Sequence, residues 1–145
     1  MRFIIDQQIR QQFPEFDFVC LPIRGVSIGP SNGVMHQDLF EAHLAGDKGE
    51  AVYQSPQLAN FRQLFVELGI DPQISPPAVE AMLRHYEATG TVPQVNNVVD
   101  IQNAQAIRTL ISMGIFDLDA ISGDISLRYS QAGEEFKPLG GGVEC

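Results

Sequence analysis

The sequence has no tryptophan, only two cysteines and three histidines, and half as many basic side chains as acidic ones. Each shortage closes a class of function. Nine Lys and Arg against eighteen Asp and Glu, a net charge of -9, speak against non-specific nucleic-acid binding, which draws its affinity from neutralising phosphates. The arginines that could build a local basic patch, Arg62, Arg84, Arg108 and Arg128, are spread along the chain, so only the fold could gather them. Two cysteines cannot frame a disulfide-rich scaffold. Cys20, inside an apolar run, reads as a small core residue, and Cys145, the last residue, as an exposed one. Spacing alone gives no geometry for a bridge between them.

His36, His43 and His85 do not make the four-ligand pattern of a structural zinc site, even with Glu41 between the first two. No metal or other cofactor is expected. Long apolar runs are also missing. Phe18–Ile23 is broken by proline and arginine within a few residues, well short of the roughly 20 residues a membrane helix needs. The N-terminal stretch has neither a sustained apolar segment nor a small-residue cleavage site. The expectation is a cytoplasmic protein without membrane or DNA partners. The glycine triplet Gly140–Gly142 lacks the Lys-Ser/Thr and the following helix of a phosphate loop, and no Gly-x-Ser-x-Gly elbow occurs. The phenylalanines fall at core-like positions and are not interleaved with basic residues as a base-stacking platform requires.

What the chain does have is 145 residues at 44% hydrophobic content, enough for one domain with its own core. Phe3–Ile5 reads as a strand and Gln7–Phe13 as a short helix, with Ile5, Ile9 and Phe13 at spacing four and Pro14 ending it. Phe16–Ile23 reads as a buried strand. A glycine-punctuated loop covers 25–33, a short helix is expected over His36–Leu44, and Gly46–Gly49 is a turn. Ser55-Pro56 fits an N-cap followed by a first-turn proline. Leu58, Phe61, Leu64, Phe65 and Leu68 then share one helical face, and Gly69 stops the helix. A second helix opens at Ser75-Pro76-Pro77, faces Val79, Met82, Leu83 and Tyr86 inward and stops at Gly90.

A third helix follows Pro93 and is expected to run to Gly114. Val98, Ile101, Ala104 or Ala106, Ile107, Leu110 and Ile111 form its apolar side. Its other edge carries Asn96, Asp100 and Asn103, spaced four and three apart so that all three share a face. Two readings fit this face. In one, the residues cap backbone groups near a helix start, where Asp also suits the dipole; in the other, amides and a carboxylate line a pocket for a small polar ligand. Beyond the helix, Ile125, Leu127 and Tyr129 alternate with polar residues, predicting a strand over Asp124–Ser130 and a returning strand over Glu135–Leu139.

The run Val98-Val99-Asp100-Ile101-Gln102-Asn103 is followed by Phe116-Asp117, Gly123-Asp124-Ile125, Leu127-Arg128, Gly133-Glu134 and Pro138-Leu139-Gly140. Together they resemble the editing domain of the phenylalanyl-tRNA synthetase beta chain. Upstream pieces, Phe13-Pro14-Glu15-Phe16, Arg24-Gly25-Val26 and Leu68-Gly69-Ile70-Asp71-Pro72, resemble free-standing relatives of that domain. The resemblance implies an α+β fold, with β-sheets in a sandwich-like arrangement and about three helices packed against them. It implies a single editing-like domain over residues 1–145, short of the family's C-terminal strands. A fragment, or a second subunit supplying the missing strand at an unpaired sheet edge, would account for that shortness.

The chemistry implied is hydrolysis of the aminoacyl ester of a mischarged tRNA, achieved mainly by positioning ester and water. Asn103 matches the family's helix asparagine and is the expected catalytic residue. Gln102 stands where the family has a threonine and Gly114 where it has a histidine. Asn96, Asp100, Gln102, Arg108, Gly114 and Arg128 are the expected substrate contacts, with Arg108 or Arg128 meeting a phosphate. The alternative is a non-catalytic module that binds an amino-acid-like ligand or serves assembly.

Overall fold

The computed structural model of the protein describes residues 1–33, 38, 41 and 50–136. The expected helix over His36–Leu44 lies largely outside the described residues. The turn at 46–49, the glycine triplet and Cys145 lie outside them altogether. The chain divides into two compact units, one formed by Met1–Ile23 with Phe116–Cys145 and the other by Arg24–Ile115.

The expected sheet sandwich is not what the chain forms. Among the described residues there are five helices and one sheet of two parallel strands. The strands, β1 (Phe3–Ile5) and β2 (Ile125–Leu127), belong to the first unit and pair Phe3 with Ile125 and Ile5 with Leu127. Arg2 fixes this register. Its backbone N–H and its guanidinium all donate to the Asp124 carboxylate, at 2.7–2.9 Å. Helix α1 (Gln7–Gln12) follows β1 directly, capped by the Asp6 side chain accepting from the Gln8 N–H, and buries Ile9.

The apolar run Phe16–Ile23 accounts for much of the difference. It forms no strand, and Val19, Leu21 and Ile23 are each 70% exposed or more. An apolar run shows that a segment would gain from burial, but a strand also needs a ladder partner. Within the described part of this unit the sheet pairs β1 with β2, and the run 16–23 is not part of it. Phe18 stacks on Phe3 with ring centroids 4.4 Å apart, and Phe16 meets Phe18 at a tilt with centroids 6.4 Å apart. Cys20, expected in the core, is a free and exposed thiol for the same reason.

The second unit is helical and holds the core. A one-turn helix α2 (Glu50–Tyr53) leads to α3 (Pro56–Glu67), where Ser55 caps the Leu58 N–H as its position before proline predicts. Helix α4 (Ala78–Thr89) starts after Pro77 and ends at Gly90, whose φ of 67° is the left-handed geometry that glycine adopts without strain. It packs on α5 (Asn97–Thr109). Leu58, Val79, Leu83, Val92, Ala106 and Ile107 form the buried cluster, with Val52, Tyr53, Met82, Tyr86 and Leu110 against it.

Helix α5 departs from expectation at both its end and its face. It stops at Thr109, five residues before Gly114, because Leu110 itself turns left-handed at φ 55°. A left-handed leucine costs about 1–2 kcal/mol, and here its side chain packs on the core cluster. The buried face carries Asp100, Ala104, Ala106 and Ile107, whereas Ile101 and Ile111 are nearly half exposed. Asp100, expected on the polar edge, is buried, and Ile101, expected on the apolar side, is not.

Candidate functional site: the polar start of helix α5

Three polar side chains at the start of α5 are engaged by main chain. Asn96 is the N-cap, its Oδ1 accepting from Val98 N–H at 3.0 Å and Val99 N–H at 2.9 Å. These are two of the donors that a helix start leaves without intrahelical acceptors. Asp100, 3% exposed, accepts from the Val95 N–H at 2.9 Å through Oδ1 and from the Ser31 hydroxyl through Oδ2. Asn97, between them, reads a distant loop as a neighbouring strand would. Its Oδ1 accepts from Gly29 N–H at 2.9 Å, its Nδ2 donates to the Ser27 carbonyl at 3.0 Å, and its own N–H donates to the Gly29 carbonyl at 3.2 Å.

Asn103 lies three residues beyond Asp100 on the same face. It is half-buried, and its amide makes no hydrogen bond among the described residues. Gln102 donates from Nε2 to the Met113 carbonyl at 3.0 Å. That bond draws the segment after the helix back alongside it, and Gly114, exposed, follows Met113 directly. The structure thus brings Gln102, Asn103 and the Met113-Gly114 segment to one part of the second unit.

The two arginines stand apart from this group. Arg108 is exposed and five positions beyond Asn103, about 140° further round the helix at 3.6 residues per turn. Arg128 belongs to the other unit. There it forms a two-point pair with Glu134, at 2.9 and 2.5 Å, and donates to the Tyr129 carbonyl. The Arg128 hydrogen bonds and one from the Gln131 N–H pull the Glu134 carboxyl down to about 2.

Sequence reasoning missed two polar features of the second unit. One is Asn97, masked by its place beside an N-cap asparagine; the doublet Asn96-Asn97 was the available signal. The other is Glu80. At 1% exposure it accepts from Arg62 Nε at 2.7 Å and from Arg84 Nη2 at 2.6 Å. Arg62 also donates to the Tyr53 carbonyl at 2.7 Å, and the Tyr53 hydroxyl donates to Glu87 at 2.7 Å. Burial raises the Glu80 carboxyl, but hydrogen bonds from the two guanidiniums outweigh it and hold the group below the usual glutamate range. Burial, together with the Glu87 carboxylate, pushes the Tyr53 phenol well above its ordinary value. The network fastens α2 and α3 to α4. No cluster of His, Cys, Asp and Glu able to hold a metal ion occurs among the described residues.

The polar start of α5 and the chain that follows it lie within a family match. The model of the B3/4 domain family matches residues 60–144, more than half of the chain, and the chain belongs to that family. The B3/4 domain is the one found in the phenylalanyl-tRNA synthetase beta chain. No curated protein and no solved structure gives a significant match. Among the described residues, no helix is long and apolar enough to cross a membrane.

Proposed function

We propose that this chain recognises the aminoacyl end of a mischarged tRNA, in the cytoplasm, and hydrolyses its ester. One observation carries the reading beyond the family match. Of the polar side chains on the expected face of α5, Asn103 is the one whose amide, partly exposed, has no hydrogen bond among the described residues. An amide held on a rigid helix can donate to an ester carbonyl and accept from a water, fixing the two in a reactive geometry. Orientation of that kind lowers a hydrolytic barrier without a dedicated base. Gln102 and the Gly114 backbone would border the ester, and Asn96 and Asp100 would hold the helix start that aims Asn103. Arg108, with no ion pair among the described residues, is assigned to a phosphate.

The test is deacylation of a panel of labelled mischarged tRNAs by the protein and by its Asn103→Ala variant. Hydrolysis that the variant loses supports the reading; no hydrolysis of any substrate by folded protein overturns it. A second reading, binding without catalysis, is favoured by one feature. Where the family has threonine and histidine, this chain has a glutamine whose amide is tied to the Met113 carbonyl and a glycine with no side chain. Thermal stabilisation by an amino acid, with no hydrolysis, would select it.

A further inference from the structure

Residues 27–31 are held to the second unit in an unusual way. Ile28 is 68% exposed and Val26 48% exposed, and neither joins the buried cluster. Its anchors among the described residues are polar. Asn97 takes both the donor and the acceptor of Gly29, and its side chain also takes the Ser27 carbonyl. The Ser31 hydroxyl meets the buried Asp100 carboxylate. Just beyond, Gly33 sits so close to the Gln94 side chain that a Cβ there would come within 2.6 Å of its Nε2. All of these acceptors and donors lie on residues 94–100, at the start of the helix that bears Asn103.

A segment fixed by hydrogen bonds, with little apolar burial, has a lower opening free energy than the core beside it. Its anchors also share two side chains. Asn97 grips the main chain at Ser27 and Gly29, and Asp100 holds the Ser31 hydroxyl, so loss of one contact weakens the rest. We propose that residues 27–31 form a strap latched by Asn97 and Asp100 onto the first turn of α5, which opens as one unit while the helical core stays folded. The latch is a conformational device of the fold and does not depend on the tRNA chemistry proposed above.

Amide hydrogen exchange on the full chain, over a range of sub-denaturing urea, tests it. In the unaltered protein the Gly29 amide is expected to be protected. Its exchange should depend far less on urea than that of Leu83 and Ile107, the mark of a small local opening. Asn97→Ala should cost Gly29 about tenfold or more in protection, since it removes both side-chain hydrogen bonds to the segment, one of them the acceptor of the Gly29 N–H itself. Ser31→Ala, which removes one donor to Asp100 and leaves both Asn97 side-chain bonds in place, should cost less in the same direction. Protection at Leu83 should persist in both. An unprotected Gly29 amide in the unaltered protein would overturn the proposal, as would exchange of Gly29 and Leu83 with the same urea dependence. Neither outcome requires any variant to fold.

Discussion

Replacing Glu80 with alanine should cost far more than a typical helix-surface change. The carboxylate is 1% exposed and accepts one hydrogen bond from each of two guanidiniums. Hydrogen bonds to charged groups contribute about 1.5–3 kcal/mol each. Arg84 is half exposed, so water replaces much of its share and its pair is worth at most about 1 kcal/mol. Arg62 is less exposed, at 28%, and would keep only the Tyr53 carbonyl. Removing the carboxylate also ends the cost of burying it, which offsets part of the loss. The balance is a destabilisation of about 2–4 kcal/mol, measured by urea unfolding. Double-mutant cycles should then give a larger coupling for Glu80 with Arg62 than with Arg84. A loss under about 1 kcal/mol, or a coupling to Arg84 as large as that to Arg62, would refute the view that this buried carboxylate ties α2 and α3 to α4.

The helices were legible and the sheets were not, for one physical reason. A helix is specified by its own residues: Ser55 before Pro56, Pro77 before Val79 and Leu83, and Gly90 as a left-handed stop are all local signals. A strand is half specified, because its partner lies elsewhere in the chain. Phe16–Ile23 has strand composition and stays unpaired among the described residues, while the three-residue pieces Phe3–Ile5 and Ile125–Leu127 find each other across the whole sequence. The same asymmetry governs the polar start of α5. Spacing placed Asn96, Asp100 and Asn103 on one face. It could not show that Ser31, Gly29 and Ser27 would arrive there and occupy Asn97 and Asp100. Glu80 was overlooked because a charged residue in a helix reads as solvated until its two arginines, 18 and four positions away, are seen to converge on it.

The remaining predictions separate packing, electrostatics and the candidate site. Leu58→Ala, at a side chain with no exposure, should lose about 2–5 kcal/mol in the same urea assay. Lowering the pH should destabilise the fold. Glu80, Asp124 and Glu134 all have carboxyls held below their ordinary values, Glu134 at about 2. A depressed folded value means that the stabilisation is present above the unfolded-state value and is lost as pH falls toward the folded one. Stability should therefore decline below about pH 4.5, and Glu80→Gln should flatten part of that decline. The sharpest contrast sets Asn96 against Asn103. Asn96→Ala removes a cap that satisfies two backbone donors and should cost about 1 kcal/mol. Asn103→Ala removes an amide with no hydrogen bond among the described residues and should change stability by less than about 0.5 kcal/mol. An Asn103 variant that unfolds as readily as the Asn96 variant would mean its amide is engaged by the fold. The free donor on which the proposed chemistry depends would then not exist.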